Sequence, residues 1–381
     1  MRMRQGVLLV VALAGCGRIG FTSAGSGSDG DGSVAVGDAA PRDGTGDGAA
    51  LQANRVFVTS TRQTPALGGL AGADAMCQAR ATAAGLPGTY VALLSTTATN
   101  AKDRLALARG WVRSDGLPFA DSPASLFAGQ VFYPIRLDEN GTDIGGFESS
   151  MTYAFTATSE GGVYTGGGDC GGFTSTAMNT TGGITFAGTS AWTSTVTMIC
   201  NQSLRLLCFG VDRSVPVIAP IVQGRIAFLS TVWMTGSGIV GADARCTTDA
   251  TAAGLPGTYH ALLATSTASA TSRFVTTGAR WVRPDGVVVV DPASTLATGA
   301  AALASINVTA AGSYVAQFLV DTGASATNVA GTNASTCSDW TSVATNQFPS
   351  AGIGYESGAP AFFYTTNRCS DPAARVYCFQ D

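Results

Sequence analysis

"GGLAGADAMCQARATAAGLPGTYVALLST" at residues 68–96 returns, little changed, as "GIVGADARCTTDATAAGLPGTYHALLAT" at 238–265. Ten consecutive letters, "ATAAGLPGTY", are identical at 81–90 and 250–259. The stretch reads as a helix, a stop and a strand. Cys77, Ala81 and Ala84 share one helical face. Asp74 and Asp243 are expected in the first turn, where a carboxylate meets the positive end of the helix dipole. Gly85 and Gly254 are placed as C′ glycines that can turn left-handed, and Pro87 and Pro256 block any continuation. "TYVALLST" is apolar on both faces, which predicts a central strand.

Working outward, the duplication continues. "RGWVRSDG" at 109–116 is answered by "ARWVRPDG" at 279–286, "DSPASLFAG" at 121–129 by "DPASTLATG" at 291–299, and "RLLCF" at 205–209 by "RVYCF" at 375–379. Ser122-Pro123 and Asp291-Pro292 read as an N-cap followed by Pro at the first helical position, with Gly129 and Gly299 closing that second helix. The offset stays near 170 residues, so the chain divides into domains at 54–210 and 221–381 with a linker at 211–220. Two copies are too few for a solenoid, which points to tandem domains.

The N-terminus has a different character. "MRMRQGVLLVVALAGC" sets two arginines before an apolar run and small residues, the order of a secretory signal, and it is too short to span a bilayer. "LAGC" at 13–16 resembles the bacterial lipobox, which implies a signal peptide at 1–15 and lipidation of Cys16. The partner of the acylated Cys16 is then the lipid bilayer, at the outer membrane or cell surface. Residues 16–53 are rich in Gly, Ser and Asp and read as a flexible tether. Net charge is −4, and loss of Arg2 and Arg4 leaves 19 basic against 25 acidic residues. No basic cluster suggests a nucleic-acid partner.

Nine cysteines divide into Cys16 and four per copy: Cys77, Cys170, Cys200 and Cys208, then Cys246, Cys337, Cys369 and Cys378. An even set in an exported chain reads as disulfides, with three connectivities open for each four. Zinc is disfavoured, because no close cysteine pair has zinc-site spacing and His260 is the sole histidine.

The helix motif, the later "ASLFAG" and four cysteines ending in "LCF" resemble endostatin and the endostatin-like bacterial surface lipoproteins, which have a C-type-lectin-like fold. The resemblance covers both copies. It implies Cys77–Cys208 and Cys170–Cys200, then Cys246–Cys378 and Cys337–Cys369. It also implies an α+β chain of two tandem lectin-like domains, each with two helices, an antiparallel sheet and two disulfides. The calcium tripeptides of sugar-binding C-type lectins are absent, and "CSDW" at 337–340 is only a superficial echo, so no metal and no cofactor are expected.

Catalysis has little to stand on. His260 occupies the position held by Val91 in the other copy, and Asp115 and Asp285 lie in Asp-Gly hairpin turns. "LDENGTD" at 137–143 could hold a cation, but the second copy lacks it and Asn-Gly again marks a turn. The shared candidate for ligand binding is Arg104, Arg109, Trp111 and Arg113, answered by Arg273, Arg280, Trp281 and Arg283. Arginine and tryptophan are common in binding hot spots, and the competing reading is a buried Trp flanked by structural ion pairs. The expectation is a non-catalytic surface lipoprotein that recognises a glycan or an extracellular protein. Its rivals are an envelope structural or interaction protein and, more distantly, a hydrolase.

Overall fold

Alternating side chains explain the sheets. In the strand β2 (Tyr90–Ala92) and the residues after it, Tyr90, Ala92 and Leu94 enter one apolar cluster while Leu93 enters another. A strand apolar on both faces needs cover on both faces. One cover is the helix Gly69–Ala83, which buries Ala73, Cys77 and Ala81. Its counterpart Gly238–Ala252 buries Ala242, Cys246 and Ala250.

The computed structural model describes residues 52–144, 152–189, 191–299, 302–316 and 318–381. The expected signal peptide, Cys16 and all of the tether except residues 52 and 53 lie outside the described residues.

The architecture is mixed α+β, with the same two sheets in each repeat. In the first, β1 (Asn54–Val58), β2, β3 (Trp111–Val112), β4 (Pro118–Ala120) and β8 (Leu207–Gly210) form a sheet of order β2-β8-β1-β3-β4. A second sheet joins β5 (Tyr153–Phe155), β6 (Asn179–Ile184) and β7 (Val196–Ile199). The second repeat matches it with β9 (Arg225–Leu229), β10 (Tyr259–Ala261), β11 (Trp281–Val282), β12 (Val288–Val290) and β16 (Tyr377–Gln380), in the order β10-β16-β9-β11-β12. Its smaller sheet is β13 (Leu319–Asp321), β14 (Ser350–Ile353) and β15 (Thr365–Thr366). The large sheets are not purely antiparallel, because β1 and β9 run parallel to β3 and β11.

Four disulfides join Cys77 to Cys208, Cys170 to Cys200, Cys246 to Cys378 and Cys337 to Cys369. The outer bridges tie each long helix to the last strand of its repeat.

Several local expectations change. Asp74 and Asp243 lie in the second turn of helices that begin at Gly69 and Gly238, so they do not serve the N-terminus. β2 and β10 stand at sheet edges rather than in the centre. Ser122 caps the short helix Pro123–Phe127 through a reciprocal pair with Ser125. Asp291 caps nothing and pairs with Arg280 at 3.0 Å, and the residues after Pro292 form a 3-10 helix, Ala293–Thr298.

The segment 211–220 is no free linker. Ser214 bridges to Arg109, Arg109 N–H donates to Arg213 O at 3.0 Å, and Val217 N–H donates to Asp121 Oδ1 at 2.8 Å. The described residues of both repeats fall in one compact unit. Tyr133 of the first repeat packs in the second repeat's core, and Tyr355 of the second against the first repeat's core.

Candidate functional site

The arginines and tryptophans shared by the repeats do not make one binding surface. Trp111 and Trp281 are fully buried, and each indole donates to a main-chain oxygen, Gly210 O at 2.9 Å and Gln380 O at 2.8 Å. Arg104 binds Asp74 at 2.5 Å and donates to Ala92 O, while Arg273 does the same with Asp243 and Ala261 O. Arg109 pairs with Asp121 at 2.7 Å. Arg113 and Arg283 pair with the turn residues Asp115 and Asp285. Arg283 is fully buried and also donates to Ser305 O and Asn307 Oδ1, both at 3.0 Å. Every one of these guanidinium groups has a partner within the chain.

The other sequence candidates lie among local contacts. His260 Nδ1 lies 3.4 Å from Asp243 Oδ2, a carboxylate that Arg273 already holds. Burial alone would raise the Asp285 carboxyl, but the Arg283 charge and hydrogen bonds from Arg283 and Tyr314 hold it below the usual range. In the 137–143 segment, Asp138 Oδ1 accepts from Asn140 N–H and Thr142 N–H, both at 2.9 Å, and Glu139 accepts from Ser60. These are turn contacts. Asp339 of "CSDW" accepts from Ser266 N–H at 2.6 Å. Among the described residues no cluster of three His, Cys, Asp or Glu could hold a metal ion.

A site that the sequence reading missed lies beside the small sheet of the second repeat. There Phe348, Thr366, Asn367, Arg368, Ser370, Asp371 and Pro372 line an open pocket of about 460 Å³. Arg368 is exposed and free of any ion pair, and Phe348 is about half exposed. Beneath the pocket, Asn367 Nδ2 donates to Asp321 Oδ1 at 3.2 Å. Asp321 is fully buried and its Oδ2 has no partner. Burial pushes its carboxyl up to about 7, against the amide bond from Asn367, and the Asp371 charge adds to the rise.

Register shows how unusual this pair is. β5 faces β6 as β13 faces β14: Tyr153 and Leu319 oppose Ile184 and Ile353, which places Phe155 where Asp321 stands. Likewise Thr180 opposes Met198 on β7, and the matching place after Thr366 is Asn367. Phe155 and Met198 are buried together in the first repeat's core. One repeat therefore fills the position with an apolar pair and the other with an amide and a carboxyl. Buried polar groups left partly unsatisfied are costly and concentrate at functional sites. Comparison with models of known protein families and with curated proteins gave no match for this chain.

Proposed function

We propose that this chain is a non-catalytic, lipid-anchored surface protein built of two C-type-lectin-like repeats, and that the second repeat's pocket recognises a glycan. The observation that carries the reading is the pocket over Asp321 and Asn367, where the first repeat has Phe155 and Met198. An amide, a free guanidinium, a carboxylate and hydroxyls around one exposed aromatic ring match the alternating polar and apolar faces of a sugar. Support for the lectin-like reading comes from the paired sheets and the outer disulfides, which draw the ends of each repeat together. The oxidised cysteines fit an exported chain. The non-catalytic reading rests on the carboxylates of the shared turns, which arginines already hold.

The test is a glycan array probed with the purified chain and with Arg368→Ala and Asp371→Asn. Binding that falls at least tenfold in both variants, with the melting temperature unchanged, supports the reading. Equal binding by all three would remove the pocket from it. A second reading, an envelope interaction protein, draws on the exposed Met234 and Val343, which flank Gly236. Cross-linking to other envelope proteins with no glycan bound would favour it.

A further inference from the structure

The two repeats meet through equivalent residues. Ile184 and Ile353 hold matching register positions, and Cys200 and Cys369 keep the same offset, so Ala187 corresponds to Glu356. These two residues form an antiparallel bridge to each other. Gly188 N–H donates to Tyr355 O at 2.7 Å, and Ser357 N–H donates to Phe186 O at 3.0 Å. The hydroxyl of Ser357 adds a bond to the same oxygen at 2.8 Å. The contact is thus two-fold in its backbone, like the isologous interface of a homodimer.

Its side chains are not symmetric. One side presents a methyl group and the other a carboxyl. Glu356 is 2% exposed, and its Oε2 has no hydrogen-bond partner. The titratable groups that act with it are phenols, Tyr153 on β5 of the first repeat, Tyr355 beside it and Tyr377 on β16, and Tyr364 ahead of β15 acts in turn on Tyr153 and Tyr355. Burial holds Tyr153, Tyr355 and Tyr377 above the ordinary tyrosine range. Among the described residues no arginine, lysine or histidine contributes to the Glu356 environment, and burial alone pushes its carboxyl up to about 8. A carboxylate there would be a buried charge with no cation to offset it.

We propose that the seam between the repeats is a proton-gated contact: it closes over the neutral acid of Glu356 and loosens when that acid ionises. The sign follows from linkage. In the open seam Glu356 meets water and titrates as an ordinary glutamate, whereas in the closed seam it keeps its proton to higher pH. Closure therefore takes up a proton, and the open fraction grows as pH rises from the ordinary glutamate range to the closed-seam value. Beside the seam lies a cleft of about 390 Å³ lined from both repeats, including Phe127, Glu160 and Thr189 of the first and Tyr314 and Val315 of the second. Loosening would widen this cleft without breaking any disulfide, because all four bridges lie within single repeats.

The test is native-state hydrogen exchange of the purified chain at pH 5.5 and 7.5, read as protection factors so that the intrinsic pH dependence of exchange is divided out. The Gly188 and Ser357 amides report the seam directly. Their protection should fall roughly 100-fold across those two pH units, at ten-fold per unit. In Glu356→Gln it should stay within about two-fold. Glu356→Ala, which sets alanine on both sides of the bridge, is the second variant and should be equally flat. Constant protection in the natural chain, or the same fall in either variant, would overturn the proposal.

Discussion

At the residue scale, the least expected feature is a left-handed turn at each inner disulfide. Cys170, Gly171, Gly172 and Phe173 all have positive φ, from 54° to 65°, and so do Cys337, Ser338, Asp339 and Trp340, from 51° to 68°. Left-handed backbone costs an ordinary L-residue about 1–2 kcal/mol, which is why runs of it are rare. The first repeat relieves two of its four positions with glycine, and the second places Ser338 and Asp339 there. Asp339 is repaid by its bonds to Ser266, but Ser338 gains only a long contact from Gln347 at 3.4 Å. Ser338→Gly should therefore stabilise the chain by about 0.5–1 kcal/mol, after the entropy of the added glycine is subtracted. Chemical denaturation would show it, and a loss of stability would mean that the Ser338 side chain matters more than its backbone. The sequence hides this turn because Cys-Ser-Asp-Trp carries no glycine. The pair Asp321–Asn367 was hidden for another reason. Between the repeats, the offset is 166 residues at β5 and β13 but 169 at β6 and β14, so a constant alignment never sets Asp321 against Phe155.

At the scale of elements, the repeated stretch "ATAAGLPGTY" is accounted for by the edge strand that it leads into. β2 lies at the sheet edge, and an open edge leaves main-chain groups unpaired. Ala92 N–H donates to Asp74 Oδ1 at 2.9 Å, and Ala92 O accepts from Arg104. Ala261, Asp243 and Arg273 repeat the arrangement. The ion pair acts as a false neighbouring strand, and this is what the shared aspartates and two of the shared arginines are for. Asp74→Ala leaves a largely buried guanidinium without its anion and an N–H without its acceptor, so it should destabilise by about 2–3 kcal/mol. The double variant Asp74→Ala/Arg104→Ala should be less unstable than the sum of its parts, and strict additivity would show that the two do not act as a unit. Much at this scale was legible. The helix stop at Gly85, with φ 67°, the hairpins at Gly116 and Gly286, and the Ser122 cap follow from local chemistry. Edge placement was not, because helix cover makes an edge strand apolar on both faces, like a central one.

At the scale of the whole molecule, the repeats were legible and their union was not, since its contacts are main-chain bonds and a few buried side chains scattered over 170 residues. Two buried carboxyls, Asp321 pushed up to about 7 and Glu356 to about 8, also give the chain an uncommon pH dependence. Both are raised above their unfolded values, so folding takes up protons. The stability they contribute is full below about pH 4 and is lost as pH rises to about 7 and 8, at about 1.4 kcal/mol per pH unit for each. Other carboxylates act in the opposite sense. Although burial alone would raise Asp115, Asp121 and Asp285, their arginine partners hold them below the ordinary range, and their contribution is lost only in stronger acid. The two sets leave maximal stability near pH 4 to 5, below the common range of pH 5 to 8. Denaturation at pH 4.5, 6 and 7.5 should show stability falling at each step. Asp321→Asn and Glu356→Gln should each flatten about half of the slope, because each removes one of the two protons taken up. A stability that holds level or rises from pH 4.5 to 7.5 would mean that these carboxyls find water or a cation in solution, and that neither the pocket floor nor the seam is as dry as the fold places it.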